Sequence, residues 1–367
     1  MNSLSDLPFE IIIRITEFLP TRGILDLSIC SKYLHEILLN IKFSNEVNFN
    51  RISELSYFDS FTRVVYDNKA KYCFPKKLEY LEWNTNHPPL PVLLNRFPKS
   101  VKCLRLGDNY ESPIPKIPNT IKCLILSRYY DTPLPSLPDS LERLILGRNF
   151  ERLLPPLPIS LKCLSLGRDY YHSFSSLPPS LKRLTLGLTY NEQLPPLPNS
   201  LTHLILNFYY DKPLSSLPNS LTHLTLNGPY KQTIKIPDSV TNLTLGDNYN
   251  HSLSELPNSL IHLDIGYIYN QLLPQFPLSL RYLRLGHCYE QSLSQLPNAL
   301  IHLILGYYYD QPLPELPDSL IYLSLGRYYS YPLLQLPKSL KKLFVAKSFI
   351  LPLDISPEII ILHPFHS

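Results

Sequence analysis

The chain has 367 residues, is 44% hydrophobic and 17% charged, and carries a formal net charge of +4. That length exceeds one compact domain, and so small a charge does not by itself point to a polyanion partner. No apolar run reaches membrane-spanning length, and none of the six cysteines sits in a C-x-x-C pair, so membrane spans, zinc knuckles and thioredoxin-type sites are excluded. The N-terminus, MNSLSDLPFEII, lacks the basic region and cleavage site of a secretory leader, so a reducing, cytoplasmic setting is expected.

In chain order, residues 4–43 come first and have a helical pattern. Ser5 or Asp6 can cap a helix with Pro8 in its first turn, and Ile11, Ile12, Ile15, Phe18 and Leu19 make its apolar face. Pro20 stops it. A second short helix holds Ile24, Leu25 and Leu27, and a third Tyr33, Leu34, Ile37 and Leu38. About forty residues cannot bury all of these internally, so the surplus apolar surface asks for a partner. The order Leu7, Pro8, Glu10, Ile11, Ile15, Leu19, Pro20, Ile24, Leu25, Leu27, Cys30, Ser31, Lys32 resembles an F-box. The departure is Gly23, where that family usually has Asp. The resemblance implies docking on the Skp-type adaptor of a cullin–RING ubiquitin ligase (the host's, if the chain is viral). Leu7, Pro8, Ile11, Ile15, Leu19, Pro20, Leu25, Leu27 and Lys32 would carry it. The plainer reading is that this segment is only a helical cap for a repeat array.

Residues 44–73 are less regular and read as a linker and cap, with FTRVVY at 61–66 alternating enough to be a covering strand. From 74 to 354 the sequence repeats itself. Proline in the pattern (L/I/F)-P-x-S-(L/V/I) recurs from Pro98 to Pro337 in steps of twenty residues, except for nineteen between Pro218 and Pro237. Thirteen such units mark a solenoid, each burying its leucines only against its neighbours. The Leu-x-Leu of each unit has the period of a short strand with one buried face. The Gly or Asn after it, as at Gly147 and Asn207, suits positive φ and a turn; Ser127 and Ala346 break that rule and are candidates for local strain. An aromatic column from Tyr110 to Phe349 predicts a stacked ladder. Prolines make the return segment extended rather than helical, and Ser140, Ser200 and Ser220 suit a local hydroxyl–backbone bond. Residues 355–367 read as a tail.

L-x-x-L-x-L followed by Gly or Asn resembles a leucine-rich repeat, and the L-P-x-L-P return is similar to the repeats of certain bacterial effectors. The FNIP repeat of social amoebae and giant DNA viruses is closer. Asn250 and Asn270 keep the Asn of its Phe-Asn-x-Pro motif, and Pro133, Pro213 and Pro312 keep the Pro. The expected fold is therefore α+β, a small helical F-box at 1–43 followed by a solenoid of roughly 20-residue units.

Function is expected on the outward strand columns. One contains Cys103, Cys123, Arg143, Cys163, Arg183, His203, His223, His262, Tyr282, His302 and Tyr322; the other contains Arg105. Rungs about 4.8 Å apart would make His203 a neighbour of His223 and Cys103 a neighbour of Cys123. The histidines have no third metal ligand beside them, and a reducing compartment favours free thiols. Basic residues cluster in the early units and His, Tyr and Thr in the later ones. A partner acidic at one end and aromatic or apolar at the other would fit; nucleic acid would not. No catalytic motif appears, and no cofactor or metal is expected. The reading is a non-catalytic substrate-recognition adaptor, F-box on ligase and repeats on an unknown target protein. The alternative is a free-standing scaffold or inhibitor. The repeat-face contacts are Arg105, Arg143, Arg183, His203, His223, His262, Tyr282, His302 and Tyr322.

Overall fold

A computed structural model describes residues 46–53, 58–66, 74–84, 98–114, 116–232, 234–333, 335–351 and 357–363. Leucines two apart fall on one side of an extended chain, and here that side is closed: Leu204 and Leu206 are buried while Ile205 between them is half-exposed. The strands from Val64 to Leu343 repeat this arrangement, a buried residue beside an outward one.

The chain divides into two compact units, residues 1–161 and 162–367. In the first, β1 (Val47–Asn48), β2 (Arg63–Tyr66), β3 (Tyr80–Trp83), β4 (Cys103–Leu106), β5 (Cys123–Ile125) and β6 (Arg143–Ile145) run parallel, each paired with the next. The second holds β7 (Cys163–Ser165), β8 (Arg183–Thr185), β9 (His203–Leu206), β10 (His223–Leu226), β11 (Asn242–Leu245) and β12 (His262–Ile265). It continues through β13 (Tyr282–Arg284), β14 (His302–Ile304), β15 (Tyr322–Ser324), β16 (Lys342–Phe344) and β17 (Ile360–Leu362). Here too each strand pairs in parallel with the next, leucine opposite leucine from Leu164 to Leu343. β17 adds Ile361 opposite Leu343, so residues beyond 355 include a further rung.

The α+β class expected from the sequence does not hold. The described residues form parallel β-solenoid, with two short 3-10 turns (Phe49–Arg51 and Phe58–Ser60) and no α-helix among them. The prolines keep each return segment extended, as the sequence predicts, so the described rungs of the solenoid are built of strand and extended chain. The N-terminal motif, including Leu7, Pro8, Ile11, Ile15, Leu19, Pro20, Leu25, Leu27 and Lys32, lies outside the described residues.

Turns flank the strands. The Leu201 amide donates to the Pro198 carbonyl at 3.0 Å on entry, and the Tyr210 amide to the Asn207 carbonyl at 3.1 Å on exit. The nineteen-residue step leaves both the strand and the tyrosine in register (His223 opposite Asn242), so the missing residue lies in the return between Tyr230 and Pro237. The returns are tied rung to rung by carboxylate and amide side chains. Asn250 Oδ1 accepts the Asn270 amide at 2.9 Å, and Asn270 Oδ1 accepts that of Glu290 at 2.9 Å. Asp131, Asn191 and Asp310 do the same in their own rungs.

Two local expectations are corrected. The motif serines do not bond locally: Ser200 Oγ donates to the Leu181 carbonyl at 2.8 Å, and Ser339 Oγ to that of Leu320 at 2.7 Å, each reaching the preceding rung. Nor do the glycines sit at positive φ. A Cβ on Gly286, Gly306 or Gly326 would collide with the backbone carbonyl of the preceding rung's glycine, so at these rungs the close approach of the backbones calls for glycine. Ser127 is buried with its Oγ donating to the Tyr110 carbonyl at 3.1 Å.

One rung has Ala299 where its neighbours have serine, and alanine cannot tie the Leu280 carbonyl. Ala299→Ser should therefore stabilise the protein by about 1 kcal/mol, the usual net value of such a bond. Ser200→Ala should cost a similar amount; urea denaturation of both variants measures the pair.

Candidate interaction face

The strands turn one side chain in two outward, and their register decides which of these meet. In the second unit Arg183, His203, His223, Asn242, His262, Tyr282, His302, Tyr322 and Lys342 stand opposite one another in succession. The rings lean together. His203 and His223 stack with centroids 4.1 Å apart at 12°, and His262 and Tyr282 at 4.0 Å and 8°. Tyr282–His302 and His302–Tyr322 follow at 6.0 and 5.6 Å, tilted. The structure thus brings the exposed Arg183 and the half-exposed His203, His223, His262, Tyr282, His302 and Tyr322 into one strip, with Asn242 filling the gap.

The imidazoles are held in one orientation. Thr202 Oγ1 lies 3.0 Å from the Lys182 carbonyl and 2.9 Å from His203 Nδ1, and Thr222 Oγ1 bridges the Thr202 carbonyl and His223 Nδ1 in the same way. A carbonyl only accepts, so the hydroxyl proton goes to it and Nδ1–H donates to the hydroxyl. Nε2 is left as an acceptor. Burial, and then the neighbouring cations, hold His203 and His223 below the ordinary imidazole value of 6.5. Burial does the same to His262, with the Asp264 carboxylate opposing it.

A depressed imidazole pKa means the unfolded chain binds more protons than the folded one once pH drops below about 6.5. Stability from these residues is therefore complete above that pH and declines as pH falls towards the folded-state values. The thermal midpoint should fall as pH is lowered from 7.5 to 5.5. His203→Asn with His223→Asn should flatten that fall, since Asn242 already occupies this column and bonds Thr241 Oγ1 at 2.9 Å. Melts of both proteins across that range check it.

The first unit carries a different face. Arg63 lies over the Tyr80 ring at 4.5 Å, and Tyr80, Cys103, Cys123 and Arg143 stand opposite one another in turn. Arg143 is exposed. Arg105, in the second outward column and two strands from Arg143, is exposed and makes an ion pair with Glu82 at 3.5 Å. Glu82 carries no repeat signal, because it belongs to the atypical first unit, where the repeat alignment does not reach.

A second cluster lies outside the strand columns, where sequence reasoning does not look. In the turns after the glycine column Tyr267 stacks on His287 at 4.7 Å, His287 on Tyr307 at 5.4 Å, and Arg327 Nη1 donates to the Tyr307 hydroxyl at 2.9 Å. Beside them Tyr308 stacks on Tyr328 at 5.5 Å, both rings strongly exposed. A signal for it exists: positions 267, 287, 307 and 327 are aromatic, imidazole or guanidinium at the repeat period. Among the described residues no cluster of three or more His, Cys, Asp or Glu could hold a metal ion, and no helix is long and apolar enough to cross a membrane.

The FNIP Repeat family model matches residues 190–228, 230–268 and 309–348. The chain carries FNIP repeats. Among solved structures it is similar to CroV588, described as a circular LRR protein, at 33% identity and a TM-score of 0.69 over 83% of this chain and 49% of that one. YopM from Yersinia enterocolitica WA-314 matches at 27% identity and TM-score 0.63, over 83% of this chain and 68% of YopM. YopM from Yersinia pestis matches at 25% and 0.53, over 73% and 84%. The chain thus spans about half the length of CroV588. No curated protein sequence matches it. These FNIP repeats are of leucine-rich type, and the asparagines they retain, Asn250 and Asn270, are the side chains that tie one return to the next.

Proposed function

We propose that the chain is a non-catalytic repeat scaffold that binds a protein partner through the outward strand face of its second unit. The observation that carries this is the unbroken register column from Arg183 to Tyr322, whose stacked rings are ordered before any partner arrives. Tyrosine and arginine are the residues that most often dominate binding energy, and side chains already held in place lose little freedom on association. The outward Nε2 acceptors and the tyrosine faces suit a partner surface with hydroxyl or amide donors among apolar groups.

Site-specific photocrosslinking tests this. Benzoylphenylalanine in place of Tyr282 or Tyr322 should capture the same partner, whereas the same group in place of Leu278, on the return turn, should not. Capture from Leu278 alone, or equally from all three positions, would overturn the reading.

A finer reading, a substrate adaptor of a cullin–RING ligase in the cytoplasm, is supported by the sequence motif from Leu7 to Lys32. Such an adaptor would act by proximity, raising the effective concentration of a target near a ubiquitin-charged enzyme. Co-purification with a Skp-type adaptor, lost in Leu7→Asp with Ile15→Asp, is its expected result. No association of the parent chain removes it and leaves the scaffold standing.

A further inference from the structure

The first unit places two thiols where the fold requires none. Cys103 and Cys123 stand directly opposite each other on β4 and β5, on the outward face; Leu104 and Leu124 beside them fill the core. Both thiols are free and half-exposed. Other rungs accept arginine, histidine or tyrosine in this column, so packing does not call for cysteine.

We propose that Cys103 and Cys123 form a thiol pair that hydrogen peroxide oxidises reversibly to a disulfide, independently of the partner-binding role. Strands paired about 4.8 Å apart put the two Cα atoms inside the range that disulfides span, about 4.4–6.8 Å. The sheet already holds the ends of the twenty-residue loop together, so closure needs little further ordering.

The surroundings also distinguish the two sulfurs. Arg143 stands directly opposite Cys123 on the next strand and two strands from Cys103, so its guanidinium favours the thiolate most at Cys123. Cys123 is therefore the thiolate that attacks, and Cys103 is the thiol that resolves. The Cys123 thiolate attacks one peroxide oxygen; the S–O bond forms, the O–O bond breaks, and hydroxide leaves to be protonated to water. Cys103 then gives up its proton and attacks the sulfenic sulfur, forming the S–S bond as a second water leaves. Two thiols lose two electrons and one peroxide becomes two waters.

The test uses the full chain, reduced, desalted and exposed to a few equivalents of hydrogen peroxide. Non-reducing peptide mapping should find the Cys103 and Cys123 peptides linked, with both thiols recovered on adding dithiothreitol. Cys103→Ser should leave a sulfenic acid at Cys123 that dimedone traps, and Arg143→Gln, which leaves both sulfurs in place, should slow oxidation several-fold. The proposal is overturned if both thiols remain alkylatable in the parent chain. It is also overturned if Cys123 oxidises without linking to Cys103, or if Cys123→Ser oxidises at Cys103 as fast as the parent.

Discussion

Tyr190→Ala is expected to cost about 3–5 kcal/mol, the range for removing a buried aromatic ring, while Tyr190→Phe should be neutral or slightly stabilising. The ring is fully buried, stacked on Tyr170 at 6.4 Å and Tyr210 at 6.3 Å, with Phe174 against its side at 5.9 Å. Its loss would open a cavity between two rungs whose backbones are pinned by strand pairing and cannot close over it. The hydroxyl is another matter. It is buried with no hydrogen-bond partner among the described residues, and burial pushes its pKa up, so it stays a neutral phenol. Its removal takes away a desolvated polar group and no contact of value. The chain already contains the comparison: Phe150 holds the same position in its rung, fully buried and stacked on Tyr130 at 6.3 Å. Urea denaturation decides the point, and a Tyr190→Phe variant destabilised by more than about 1.5 kcal/mol, the upper end for a single hydrogen bond, would mean the hydroxyl has a partner.

Gly286→Ala should be strongly destabilising for so small a change. The added Cβ would overlap the backbone carbonyl oxygen of Gly266, and backbone, unlike a flexible side chain, cannot swing aside. Overpacking of this kind costs on the order of 1–3 kcal/mol, and a repeat array passes a misplaced rung on to its neighbours. Asn207 and Asn227, the side chains that do occupy this column in adjoining rungs, bond each other, Asn227 Nδ2 donating to Asn207 Oδ1 at 2.8 Å. If Gly286→Ala unfolds in urea within about 0.5 kcal/mol of the parent, as an ordinary surface change does, the close-approach account fails.

A single rung is legible in the amino-acid sequence alone. Its period, its strand, the buried leucines, the outward columns and the aromatic ladder can all be read because each depends on residues a few positions apart. Leu204 and Leu206 share a face at a spacing of two, and the prolines of the return remove donors wherever they stand. Everything that needs a second rung came from the tertiary fold. Ser200 suits a local turn bond, yet its acceptor is the Leu181 carbonyl nineteen residues back. The glycine column resembles a positive-φ turn, yet its cause is the preceding rung's carbonyl. Arg105 reads only as an outward contact, and pairing of β3 with β4 brings Glu82 to it. His203 and His223, alike in sequence, become a stacked pair with fixed tautomers because a threonine in each rung reaches the carbonyl of the one before. A repeat writes each unit into the chain, but contacts between units depend on register, which no single unit contains.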